Sequence, residues 1–169
     1  MGASSVTGLD ISVKMLEVAE NENTSPNIKY INKSMTDLNE IAEKYDVIFS
    51  SLAVHYIEDF DKLIKDVYNL LNQGGYFIFS QEHPLTTALL TQNYWTCNEE
   101  NERIHYNLTT YALEGERKVT WIVDGVIKYH RTMSSIINSL SNAGFIINKM
   151  LEPIPVSYTH LRAHETRRH

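Results

Sequence analysis

The sequence predicts an α/β protein built on a doubly wound, mostly parallel sheet. Two observations carry this. Short β-branched and aromatic runs alternate with amphipathic segments in the rhythm strand, helix, strand. Tyr45-Asp-Val-Ile-Phe-Ser50 is almost continuously apolar, as a parallel strand covered on both faces requires. A third observation gives the fold a use. The first apolar run ends in an acid, Asp10, and a helix starts just after it. Nucleotide-binding α/β folds hold a ribose through a carboxylate at that point.

Each element has a local reason. Val6 to Asp10 is β-prone, and Ser12 is a helix cap, so a helix is expected to run to about Glu22. Val13, Leu16, Val18 and Ala19 are its expected sheet-facing side. Asn21 to Pro26 is a polar break, and Ile28 to Ile31 is a short strand. Met35 to Glu43 reads as a turn with a short helix, followed by the Tyr45–Ser50 strand. Glu58 to Leu71 carries Phe60, Leu63, Ile64, Val67, Leu70 and Leu71 at helical spacing. Gly74-Gly75 is the expected C-cap of that helix, and Tyr76 to Ser80 the next strand. Residues 84–130 break the rhythm as a lid or insertion holding Tyr94, Trp95, Tyr106, Tyr111 and Trp121. Within it, Lys118–Val123, Asp124-Gly125 and Val126–Tyr129 read as a hairpin, since Asp-Gly is a strong turn signal. Thr132 to Ala143 is a helix stopped by Gly144, and Phe145 to Leu151 a last strand.

The two ends read differently from the middle. The Gly-rich loop of nucleotide-binding folds lies about 20 residues before the ribose acid, and only nine residues precede Asp10 here. The expectation is a partial domain over residues 1–155, without its first strand and final strand. Residues 156–169, Val-Ser-Tyr-Thr-His-Leu-Arg-Ala-His-Glu-Thr-Arg-Arg-His, resemble the conceptual translation of a sequencing adapter and are read as a non-native tail. His160, His164 and His169 have no Cys or carboxylate arranged with them as a metal set, so no metal is expected.

The chain has 15 basic and 21 acidic residues. Taking away the tail's three arginines and one glutamate leaves 12 against 20, a net charge of −8. Nucleic acid is not an expected partner, because phosphate binding needs clustered Lys and Arg. One cysteine, Cys97, excludes an internal disulfide framework and fits a reducing, cytoplasmic setting. No apolar run reaches spanning length, so no membrane is expected as a partner either.

Taken together, Gly8-Leu-Asp-Ile-Ser12 with Lys14-Met15-Leu16, Tyr45 to Ile57, Leu70 to Phe79 and Glu82-His-Pro84 resemble the class I S-adenosylmethionine-dependent methyltransferases of small-molecule type. The resemblance runs from residue 2 to about 155, and the order and spacing of the motifs are more specific than any one of them. Lys128-Tyr-His-Arg-Thr132 and Asn142-Ala-Gly-Phe145 look like the later part of one bacterial branch. The resemblance implies a Rossmann-like sheet of order 3-2-1-4-5-7-6 with S-adenosylmethionine over its carboxyl edge. Without the central strand 1, pairing is expected to break in the middle of the sheet. A chain in this form is expected to be inactive and poorly stable.

The resemblance also implies roles. Asp10 would hold the ribose hydroxyls and Ile11 the adenine face. Ser34 and Met35 match the adenine-edge loop, where an acid more often stands at the Ser34 position; Asp37 could substitute or simply cap a helix. Ser50 and Leu52 would offer backbone atoms to the methionine end, with His55 facing cofactor or substrate, or serving as a hydrogen-bonded structural histidine. Glu82, His83 and His130 are the candidates for substrate chemistry on a small molecule, as proton acceptor or as orienting groups. The competing readings are a nicotinamide-dependent oxidoreductase, which also uses a ribose-binding acid, and a non-catalytic cofactor-binding module. Against the first, no Tyr-x-x-x-Lys pair follows the Tyr76–Ser80 strand.

Overall fold

The computed structural model describes residues 2–91, 93–120 and 124–153. Trp121 and the 156–169 tail, both singled out above, lie outside the described residues.

The first half follows the expected order closely. β1 (Val6–Asp10) leads into α1 (Val13–Glu22), whose N-cap Ser12 accepts the Met15 N–H. β2 (Ile28–Asn32) returns parallel to β1, pairing Val6 with Ile28 through Asp10 with Asn32. A 3-10 turn over Met35–Glu40 precedes β3 (Tyr45–Ser51). A second 3-10 turn, Val54–Tyr56, leads to α2 (Phe60–Leu70), capped by the Asp59 carboxylate on the Lys62 N–H at 2.9 Å. β4 (Leu71–Ser80) then runs parallel to β3.

The core lies under β3 and β4. α2 contributes Phe60, Leu63, Ile64, Val67 and Leu70, and the later helix α4 (Met133–Ala143) contributes Ile136 and Leu140. Leu9, Ile48, Phe77 and Phe79 pack onto this cluster from the strands. Ile64 is fully buried at its centre. α4 starts at Thr132, whose hydroxyl accepts the Ser135 N–H, and stops at Gly144 with φ +103°, as its sequence signals require.

The pairing is broken where the sequence predicts. Among the described residues β1 pairs only with β2, and β3 only with β4. The two pairs touch through side chains: the Tyr45 hydroxyl lies 3.3 Å from the Thr7 hydroxyl, and Leu9 and Ile48 share the core.

Four expectations need correction. β3 and β4 are covered on one face only: Val47, Phe49, Tyr76 and Ile78 form an exposed apolar face, so the apolar β3 run does not report double cover here. In α1 only Leu16 is buried; Val13 and Val18 face outward, because a two-stranded sheet is too narrow to cover a wide helical stripe. Gly74-Gly75 is not a helix cap. α2 ends at Leu70, and Gly74, at φ +77°, sits inside β4 at a register shift opposite Tyr45–Val47. Phe145–Leu151 forms no strand; Phe145 packs edge-on against Tyr68 at 5.1 Å and lies 6.0 Å from Phe77 of β4.

The insertion is more structured than its polar sequence suggests. α3 (Pro84–Thr87) is followed by the antiparallel pair β5 (Trp95–Cys97) and β6 (Arg103–Tyr106). The expected hairpin exists as β7 (Gly115–Val119) and β8 (Val126–His130), starting earlier than the sequence reading placed it. Arg117 on β7 donates to the Ala88 carbonyl at 3.3 Å and to the Leu113 carbonyl, which fixes the hairpin to the segment after α3.

Candidate functional site

Strand ends collect the predicted residues. Asp10 closes β1. Its Oδ1 accepts the Ser12 N–H at 2.7 Å, which caps the turn into α1, and Oδ2 has no partner among the described residues. Ile11 follows Asp10 and is 73% exposed, an unusual setting for a β-branched apolar residue next to a charge. Asn32, at the end of β2, donates to the Asp10 and Ile11 carbonyls at 3.0 and 2.8 Å and holds this corner rigid.

Ser34 caps the first 3-10 turn, accepting the Thr36 N–H at 3.1 Å. Met35 is half-buried against the core, so its side chain is spoken for and its backbone is the part a ligand could use. Asp37 lies within the turn, with φ −113°, and caps nothing; its Oδ1 accepts the Thr36 hydroxyl at 3.1 Å.

At the exit of β3 the backbone is strained. Leu52 has φ +50°, a left-handed conformation that costs a β-carbon-bearing residue about 1–2 kcal/mol. It is held there by its N–H donating to the Ser80 carbonyl at 3.0 Å and by the Ser80 hydroxyl at 3.2 Å. Strain of this kind, maintained by neighbours, gathers where a ligand is gripped. Ser50 points to the half-buried side of β3, one residue before Ser51, whose hydroxyl meets that of Ser80 at 3.4 Å.

The exit of β4 carries Glu82, His83 and, from β8, His130. Glu82 accepts a hydrogen bond from Lys128 of β8 in a largely buried ion pair. Lys128 was not singled out from sequence. Strand alternation would have placed it on the same face as His130, and both are buried. Its ammonium also lies 5.9 Å from the Tyr56 ring centre.

The histidines have different surroundings. His83 caps α3: Nδ1 accepts the Leu85 N–H at 3.1 Å, while Nε2 meets the Glu152 carboxylate at 2.8 Å. His130 is fully buried. Its Nδ1 faces the Thr87 hydroxyl at 2.8 Å and its Nε2 the Tyr111 carbonyl at 2.9 Å. Burial holds the His130 pKa below the ordinary histidine value; the Tyr111 carbonyl opposes this and Arg117 adds to it. His55 sits in the 3-10 turn after β3. It is 4% exposed, and neither ring nitrogen has a hydrogen-bond partner among the described residues. Burial lowers its pKa, Glu82 pulls the other way, and Lys128 and Arg131 reinforce burial.

A small cavity of about 10 Å³ lies beside His55 and Glu82, lined also by Gln81, Pro84, Thr87, Tyr129, Arg131 and Ile136. That is room for about one water-sized group. Among the described residues no set of His, Cys, Asp and Glu could hold a metal, and no helix is long and apolar enough to cross a membrane.

Comparison with known proteins places this arrangement. The family described as Methyltransferase domain matches residues 1–79. A Listeria monocytogenes structure described as an S-adenosylmethionine dependent methyltransferase superposes with TM-score 0.86 at 39% identity, covering 94% of this chain and 74% of that one. A second, from Mesorhizobium loti, gives TM-score 0.80 at 35% identity over 97% of this chain and 74% of that one. An uncharacterized protein of Haemophilus influenzae is 39% identical over 159 residues, which are 90% of this chain and 63% of that protein. The chain thus spans somewhat less than two thirds of that relative's length. With this likeness over nearly its whole length, the chain belongs to the S-adenosylmethionine-dependent methyltransferases.

Proposed function

We propose that the whole protein to which this chain's sequence belongs transfers a methyl group from S-adenosylmethionine to a small molecule in the cytoplasm. The observation that carries the reading is Asp10: a strand-end carboxylate with one oxygen fixed by the Ser12 N–H and the other without a described partner, beside an exposed Ile11. These residues suit the nucleoside. Asp10 would accept hydrogen bonds from the ribose hydroxyls, Ile11 would lie against adenine, and the Ser34–Met35 backbone would meet its edge. Ser50 and Leu52 would offer backbone groups to the amino-acid end, with His55 beyond them. Bound there, S-adenosylmethionine supplies a methyl carbon made electrophilic by its positive sulfur.

The acceptor end is assigned to Glu82, His83 and His130. Both ring nitrogens of His83 and of His130 are engaged by neighbours, which favours orienting roles for them over proton transfer. Methyl transfer depends chiefly on alignment of the acceptor with the methyl carbon, so a rigid wall serves it well. A net charge of −6 favours a small acceptor over a nucleic acid, and the single cysteine suits the cytoplasm.

Calorimetry with S-adenosylhomocysteine tests this. Asp10→Asn keeps an acceptor for Ser12 but removes the charge, and should weaken binding by about 1–3 kcal/mol. Binding of NAD in place of S-adenosylhomocysteine would overturn the reading, and unchanged affinity in Asp10→Asn would remove Asp10 from the ribose role.

A further inference from the structure

His55 is the exception among the histidines around the β4 exit. A buried polar group without a partner costs about 1–3 kcal/mol, and native proteins rarely keep one without a use. His55 keeps two, at both ring nitrogens, while His83 and His130 leave none. It also borders the one-group cavity, whose polar lining includes Glu82, Gln81, Thr87 and Arg131. That cavity joins the segment after the strained Leu52 turn to the residues just after Ser80, the serine that holds the turn in place.

We propose that His55 binds the reacting hydroxyl of the acceptor in this cavity and takes its proton as the oxygen is methylated. The proposal rests on the methyltransferase reading above and adds the acceptor's chemical class. The bond made is acceptor oxygen to methyl carbon. The bond broken is methyl carbon to sulfur, its electron pair staying on sulfur, and the hydroxyl proton ends on a ring nitrogen of His55. Burial keeps the imidazole neutral and able to accept. The charged groups acting on the ring are Glu82, Lys128 and Arg131. Glu82 stabilises the imidazolium once formed, and the two cations help it lose the proton afterwards. An ammonium-bearing acceptor would add a third positive charge against one carboxylate, so the site favours a neutral or anionic hydroxyl compound. The cavity admits one oxygen and little more, which confines the reacting group and leaves the acceptor's body outside.

The test uses phenol and salicylate as neutral and anionic hydroxyl probes and benzylamine as the cationic control. Each is added to the ¹⁵N-histidine-labelled protein with S-adenosylhomocysteine, whose binding is first measured by calorimetry. Phenol or salicylate should shift the His55 ring nitrogens and leave those of His83 and His130 in place, and benzylamine should shift none. With S-adenosylmethionine, His55→Gln should lower methylation of the responding hydroxyl probe at least 100-fold. It should also abolish the acid limb of the rate profile and leave S-adenosylhomocysteine affinity within twofold. If S-adenosylhomocysteine binds but neither hydroxyl probe shifts His55, or benzylamine is the probe methylated, the proposal is overturned and the methyltransferase reading stands. If S-adenosylhomocysteine does not bind, the methyltransferase reading itself falls. The ring shifts are read on the unaltered protein, so misfolding of His55→Gln would leave the test intact.

Discussion

Lys128 and Glu82, 46 residues apart in sequence, form an ion pair that fastens the β7–β8 hairpin to the exit of β4. The lysine side chain is 9% exposed and the glutamate 29%, so the pair is set mostly inside the protein. Lys128 also approaches Tyr56, next to His55. One contact thus connects the insertion, the β4 exit and the turn after β3.

Removing one partner should cost more than removing both. Glu82→Ala leaves a buried ammonium, and a loss of about 1–3 kcal/mol is expected, less than for a fully buried pair because Glu82 is partly wet. Glu82→Leu combined with Lys128→Met should recover much of that loss. Urea denaturation of the two variants checks this; a double variant as unstable as Glu82→Ala would show that the charges do not act as a pair.

The α4 cap gives a cleaner stability prediction. Gly144 has φ +103°, and a β-carbon there would lie 3.0–3.2 Å from the ring of Tyr68. Gly144→Ala combines left-handed strain with this clash, and should destabilise by about 1–2 kcal/mol. Tyr68→Ala should soften the penalty of Gly144→Ala by removing the clash. An equal penalty in both backgrounds would show that backbone strain alone sets it.

Acid should weaken the fold before its carboxylates titrate. His55 and His130 both have pKa values below the ordinary 6.5, each chiefly because burial disfavours the charged ring. Below about pH 6.5 the unfolded chain binds protons at these positions and the folded chain does not. Stability therefore falls as pH drops through 6.5, until the folded-state values are reached. Urea midpoints at pH 7.5 and 5.5 should show the fall, and His130→Gln should reduce it. A midpoint equal at both pH values would contradict the sign.

The sequence made the helices and parallel strands legible because their signals are local. Ser12 is a cap by chemistry, and Gly144 stops α4 by backbone freedom. Asp10 could be singled out because a strand end followed by a cap fixes where it stands. What stayed hidden depends on distant partners. Nothing near Gly74 says that it serves a register shift against β3 in place of ending α2. Nothing near Val47 or Phe49 says that one face of their strand is left open. The difference between His55 and His130 is of the same kind: it lies in Thr87 and Tyr111, which satisfy one ring and not the other.

Among the described residues no ladder joins β1 to β3, so the two parallel pairs are separate in their backbone pairing. Each parallel pair closes through its own short crossover, with Val6 paired to Ile28 in one and Val47 to Tyr76 in the other. Contacts so local in sequence form early and at low entropic cost. Among the described residues no backbone rung passes strain from one pair to the other, so each can open as a separate foldon, with its own hydrogen-exchange protection. The joint between them is made of side chains such as Tyr45, Thr7, Leu9 and Ile48. Side chains set a distance but enforce no register. The corner at Asp10 and the turn at Leu52 stand on opposite sides of that joint, so the spacing between them is the least constrained dimension of the candidate site.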